Sequence, residues 1–132
     1  MFAVTYNPGR NYACITLSGQ MTEDEWMATR DMVVGASRQL DPGWVAAIDA
    51  RGLKLLSPED LDCHGRLLRA IRACKAAEIV SLFDTALAAM QDGRIAKEAG
   101  SEAITTRFES AREWAVYFDA IGARQIAEQA TA

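Results

Sequence analysis

The chain has 132 residues, 50% of them hydrophobic and 24% charged, with 14 Lys and Arg against 18 Asp and Glu for a formal charge of −4. A domain of that length buries roughly two thirds of the surface its unfolded form exposes, and the composition excludes a disordered chain. No apolar run approaches the ~20 residues of a membrane-spanning helix, Met1-Phe2-Ala3-Val4 lacks the basic start and long apolar core of a signal peptide, and an acidic balance without a Lys/Arg run argues against nucleic acid as a partner.

Residues 2–6 and 12–17 read as two strands joined by Asn7-Pro8-Gly9-Arg10, a turn in which Pro presets one central angle and Gly permits the other. Thr22-Glu23-Asp24-Glu25 has the capping-box spacing, and Trp26, Val33, Ser37 and Leu40 recur at helical intervals until Pro42-Gly43 stops the helix. Gly35-Ala36-Ser37 inside it costs helix propensity and predicts close packing against a sheet.

Trp44-Val45-Ala46-Ala47-Ile48 is an apolar strand ending in Asp49. The loop at residues 50–56 carries Arg51, Gly52 and Lys54, and Ser57-Pro58-Glu59-Asp60 opens a helix that runs to about Ala76. Residues 78–83 form a further apolar strand, and Asp84 or Thr85 caps a helix closed by Gly100. Residues 104–108 make a last short strand. Ser110-Ala111-Arg112-Glu113 is a second capping box, opening a helix with Ala111, Trp114, Ala115 and Phe118 on one face. Gly122 is expected to end it, leaving residues 123–132 as a polar, frayed or weakly helical tail. The predicted order is ββαβαβαβα, an α/β domain over residues 1–122 whose later strands are parallel and joined by right-handed crossovers.

The loop after a strand's carboxyl end is where open α/β sheets bind ligands, so Arg51, Gly52, Lys54, Ser57, Glu59 and Asp60 are the candidate site. Glu59 and Asp60 already occupy the positive end of the helix, which weakens a phosphate or nucleotide site there. Ser57 before Pro58 reads as a helix N-cap. His64, the single histidine, falls on the arc of Leu61, Leu67, Leu68 and Ile71 and faces the core, with Asp60 one turn earlier as its expected hydrogen-bond acceptor. Asp60, His64 and Asp49 beside Ser57 invite a hydrolase reading, but no nucleophile elbow or oxyanion loop accompanies them. One histidine without an acidic pair at ligand spacing leaves no metal site, and no cofactor fingerprint is present. Cys14, Cys63 and Cys74 form no CxxC pair and read as reduced core thiols of a cytoplasmic protein.

Three segments, in order, carry a resemblance. Ala46-Ala47-Ile48-Asp49-Ala50-Arg51-Gly52-Leu53, the run from Asp84 to Gly100, and Arg107 through Phe118 are similar to a strand ending in Asp-x-x-Gly, a third helix, and a final strand with an aromatic-bearing helix. Together they resemble the STAS superfamily, in particular its SpoIIAA-like (STAS/SEC14-like) bacterial branch. The resemblance implies a single-domain mixed sheet with an N-terminal hairpin and helices packed on it. It also implies a non-enzymatic regulatory module that docks a protein partner through the loop at Arg51 and the following helix. In antagonists of the SpoIIAA type an Asp-Ser-Ser-Gly run follows the strand, and a serine there is phosphorylated. Here Ser57-Pro58-Glu59-Asp60 stands at that run, with Pro58 at the switch position. The alternative that the SEC14 likeness implies is a binder of a small apolar ligand or lipid, in a groove lined by Leu87, Met90, Gln91, Ile95, Trp114 and Phe118. An exposed edge strand or the apolar third helix would also suit a homodimer.

Overall fold

In the segment Tyr12–Leu17 every second side chain, Ala13, Ile15 and Leu17, is fully buried while the intervening ones are partly exposed. That is the period of a strand with one strongly packed face. This strand, β2, pairs antiparallel with β1 (Phe2–Asn7), Phe2 opposite Leu17 and Asn7 opposite Tyr12. Three parallel pairings add β3 (Val45–Asp49), β4 (Glu78–Leu82) and β5 (Thr105–Phe108), so the spatial order of the five strands is their order in the chain. Helices α1 (Glu23–Ser37), α2 (Pro58–Ala73) and α3 (Ala86–Ala99) fill the crossovers, a 3₁₀ turn at Glu102–Ile104 leads into β5, and α4 (Ala111–Thr131) follows it. The predicted element order is the one that forms. The computed structural model describes the backbone of residues 1–131 and the side chains of residues 1–121.

Each crossover steps in the same direction along the sheet, so right-handed connections place α1, α2 and α3 on one face. There Ile15, Trp26, Ile48, Leu68, Ile79 and Ile95 belong to one continuous core. Val45 and Val80, each one residue from a member of that core, point the other way and meet Tyr12, Phe108, Phe118 and Ile121. No strand follows β5, so α4 is free to cross over and cover this second face. The Trp114 indole N–H donates to the Val80 carbonyl at 3.0 Å, and the Phe118 ring stands edge-on to Tyr12 at 4.8 Å.

Local chemistry sets most helix ends. Thr22 and Glu25 close both halves of the capping box on α1. The Glu113 N–H donates to Ser110 Oγ at 3.3 Å at the start of α4. Gly100 ends α3 at φ 75°, in the left-handed region that favours glycine.

Three expectations differ. The first helix stops at Ser37 rather than Leu40. Gly35 faces solvent with open space around it, and the close packing expected there falls on Ala36, which is buried. Gly122 does not end α4, which continues to Thr131. A glycine inside a helix costs only about 1 kcal/mol, and the Ala, Arg, Gln and Glu residues beyond it are strong helix formers. The side chains of the expected polar tail, 123–132, lie outside the described residues.

Candidate functional site

The loop at residues 50–56 is built by alternation and pinned by backbone bonds. Leu53 and Leu55 point inward and are buried, so Lys54 and Leu56 point out. The Ala50 N–H donates to the Leu82 carbonyl at 2.9 Å, and the Gly52 N–H donates to Asp84 Oδ2 at 3.0 Å. Gly19 exchanges two bonds with the loop, donating to the Gly52 carbonyl and accepting from the Lys54 N–H, both at 2.9 Å. Gly52 sits at φ 75°, a conformation most side chains avoid. The Arg51 guanidinium folds back on Asp49, with Nε 3.0 Å from Oδ1 and Nη2 2.8 Å from Oδ2. Hydrogen bonds from that side chain hold the Asp49 carboxyl below its ordinary range, against the opposing pull of partial burial.

Ser57 is the N-cap of α2. Its Oγ accepts the Asp60 N–H at 3.2 Å, Pro58 fills the first helical position, and Asp60 Oδ2 accepts the Leu56 N–H at 3.0 Å. The result is a capping pair closed from both sides. It corrects two expectations. Asp60 is only 6% exposed and its Oδ2 is taken by the Leu56 N–H, so it offers little to a partner and is not the acceptor for His64.

That acceptor is Asp92, 28 residues on. His64 Nε2 lies 2.6 Å from Asp92 Oδ1, Arg107 Nε donates to Asp92 Oδ2 at 2.6 Å, and the rest of the Arg107 guanidinium grips Glu102 at 3.0 and 2.6 Å. These contacts join α2, α3, β5 and the 3₁₀ turn, running from the buried His64 and Asp92 out to the partly exposed Glu102, with the Trp26 ring edge-on to His64 at 5.7 Å. Burial pushes the Asp92 carboxyl up, but the hydrogen bond to His64 and the Arg107 guanidinium outweigh it and hold the carboxyl below its ordinary value. Arg107 is shifted up: burial opposes its charge, and the bonds to Glu102 and Asp92 overcome that.

Solved structures with a similar fold exist. The chain is similar to the anti-sigma factor antagonist SpoIIAA in its unphosphorylated form, with a TM-score of 0.56 at 12% identity over 86% of this chain and 91% of that one. It is equally similar to the Bacillus cell fate determinant SpoIIAA in the phosphorylated form, with a TM-score of 0.56 at 13% identity over 86% and 95% of the two chains. The fold is that of SpoIIAA. No protein-family model matches the chain, and no curated protein matches it in sequence.

On this SpoIIAA-like frame the residues singled out from the sequence separate into two groups. Arg51, Gly52, Lys54 and Glu59 are exposed together at the carboxyl end of β3, with Ser57 half-buried among them. Leu56, 68% exposed between Lys54 and Pro58, belongs with them and was missed, because an outward leucine in a loop has no periodic signature. Leu87 and Met90, 62% and 63% exposed, open α3 at the same end of the sheet, tied to the loop through the bond from Gly52 to Asp84.

The expected residues do not line one groove; the pocket between the starts of α3 and α4 is walled instead by Ala86, Ala89, Arg107, Glu109, Ser110 and Glu113. Leu87, Met90, Gln91 and Ile95 are on α3 above one face of the sheet, whereas Trp114 and Phe118 are on α4 above the other. Gln91 and Ile95 instead line a groove of about 310 Å³ between α2 and α3, walled by Pro58, Leu61, Arg69 and Arg94.

The arrangement offers little for covalent chemistry. Ser57 Oγ is used as a cap, and His64 is 1% exposed, out of reach of any substrate. Among the described residues no cluster of three His, Cys, Asp or Glu could hold a metal, and no helix is long and apolar enough to cross a membrane. Asp92 carried a readable signal that was overlooked: it sits with Ala88, Ile95 and Ala96 on the buried face of α3, a charged residue where only apolar ones belong.

Proposed function

We propose that the chain is a non-catalytic regulatory module of the STAS kind, spanning residues 1–122, which docks a protein partner through the loop at residues 50–56 and the first turn of α2. The observation that carries this reading is Leu56. A leucine 68% exposed, between a stretch bonded to Gly19 at Lys54 and the cap of α2 that takes its own N–H, is an apolar anchor presented in advance. Its backbone is held before a partner arrives, which lowers the entropy lost on association. Lys54 and Glu59 supply charged rim positions beside it, and Leu87 and Met90 extend the apolar area at the same end of the sheet.

The likeness to an anti-sigma factor antagonist supports a regulatory role. One of the similar structures is a phosphorylated form; on the correspondence read from the sequence Pro58 stands at the switch position, and Ser57 is committed as the cap. The module therefore works without a serine switch at this position. Free half-buried thiols at Cys14, Cys63 and Cys74 suit a reducing, cytoplasmic setting.

The test is capture of a stoichiometric partner from the source cell by the tagged protein, repeated with Leu56→Asp and Lys54→Glu. Both variants keep their melting temperature and lose the partner. Equal capture by Leu56→Asp, or no partner in any preparation, overturns the reading.

A further inference from the structure

The sequence shows no basic run, but the fold assembles one. The outward sides of α2 and α3 carry Arg66, Arg69, Arg72, Arg94 and Lys97 against Glu59, Asp62 and Glu98, in a protein whose formal charge is −4. Arg66 is used, its Nη2 bonded to Asp62 at 2.9 Å. Arg69 and Arg94 both line the groove between the helices, and neither makes an ion pair among the described residues. Asp62 and Glu98 sit in the same wall, and Arg66 pairs with Asp62 from its edge, so the groove and its edge together carry three arginines against two carboxylates.

The groove's apolar part is equally defined. Gly65 lets the helices approach closely, since a Cβ there would stand 3.3 Å from Ile95 Cγ2. Ile95, Leu61 and Pro58 form an apolar strip along about 310 Å³ of open space. Two parallel helices with a furrow between them accept a third helix, whose side-chain ridge seats in the furrow.

We propose that this groove receives an amphipathic helix of the partner protein, its apolar ridge on Leu61 and Ile95 and its carboxylates on Arg69 and Arg94. The inference rests on the docking reading above and extends it from the loop along α2. Charge complementarity selects an acidic helix over a basic one. The apolar strip selects it over nucleic acid, whose backbone would lay phosphates across Leu61 and Ile95. The concavity selects it over a bilayer surface.

The probe is a fluorescein-labelled Glu/Leu/Ala amphipathic peptide of about 18 residues, long enough to form a helix once its apolar face is covered. A Lys/Leu/Ala peptide of the same apolar face, a single-stranded oligothymidylate of about 20 nucleotides and phosphatidylserine vesicles are compared with it. Anisotropy measures affinity, and amide NMR shifts report the location. The Glu peptide binds and moves signals of α2 and α3. Arg69→Glu with Arg94→Glu weakens it about tenfold and admits the Lys peptide. Arg69→Gln with Arg94→Gln, at exposed positions that leave the melting temperature in place, gives an intermediate loss.

No shift at millimolar Glu peptide, undiminished binding by the Glu variant, or tighter binding of the oligothymidylate or vesicles to this face overturns the proposal. Loss of the cellular partner by Leu56→Asp together with a silent groove removes only the groove assignment and leaves the docking loop standing. A groove that binds the peptide while Leu56→Asp keeps the partner does the reverse.

Discussion

His64 Nε2 and Asp92 Oδ1 stand 2.6 Å apart with both side chains 1% exposed, and the contact ties α2 to α3 inside the core. The sheet-facing side of α3 is otherwise thin: Ala88, Ile95 and Ala96 are its buried apolar residues, and only Ile95 is large. Three such side chains bury little area, at about 25 cal/mol per Å². The carboxylate at their centre, bonded to His64 on one side and Arg107 on the other, therefore fixes where α3 lies. Through Leu87 and Met90 it also fixes one border of the proposed docking surface.

Asp92 is held below its ordinary value in the fold, so the unfolded chain binds the proton more readily, and stability from this group is full above the unfolded value of about 3.9 and lost as pH falls through the folded one. Asp92→Asn is destabilised near neutrality, and its deficit against the wild type narrows below about pH 4. Urea midpoints at neutral, mildly acidic and strongly acidic pH measure it. A deficit that stays constant across the series would remove Asp92 from the acid limb.

Arg107 is the counter-charge that makes the buried carboxylate tolerable. Arg107→Met leaves Asp92 charged and dry on that side and costs about 3 kcal/mol, the lower end for breaking a buried pair because Arg107 keeps some solvent contact. In the double variant with Asp92→Asn the two losses are not additive, with a coupling of about 1–3 kcal/mol. Additive losses in denaturant unfolding would show that the two side chains act independently.

The sheet and its helices were legible in the sequence because their signals are local. Thr22 with Glu25, Ser57 with Pro58, and Gly100 each mark a helix end by chemistry confined to a few residues. What failed was long-range. Asp60, one turn from His64 along α2, is the partner the sequence suggests, whereas the true partner, Asp92, lies 28 residues on. The choice turns on Asp60 Oδ2 being taken by the Leu56 N–H, which only the folded loop reveals. The supposed groove joining Leu87 to Trp114 failed for a reason of topology. Three right-handed crossovers in one direction fill one face, so the helix after the last strand goes to the other. Lys97, Arg94 and Arg69 illustrate the same limit, since no basic run exists until α2 and α3 lie side by side.

Ser57 distinguishes a cap from a switch. Ser57→Ala removes the acceptor for the Asp60 N–H and costs about 1 kcal/mol, whereas Ser57→Asp keeps a capping oxygen and stays near wild-type stability. Ser57→Ala retains the partner captured by the wild type. Thermal melts and the same capture experiment check this. Partner release by Ser57→Asp alone would mean that charge at the start of α2 is read after all.

Gly100 offers a test of how tightly α2 and α3 are seated at their far ends. At φ 75° any side chain is strained, and a Cβ there would also stand 2.6 Å from Arg72 Nη1. Gly100→Ala therefore loses about 1 kcal/mol from the backbone and more if Arg72 cannot move aside. Gly43, at φ 89° with nothing within 4 Å, is the control, because Gly43→Ala carries the backbone part alone. Adding Arg72→Ala to Gly100→Ala relieves the contact and brings the loss down to that of Gly43→Ala. Equal losses for both single variants in urea unfolding would show that the Arg72 side chain swings clear at no cost, and that the two helix ends are not clamped by it.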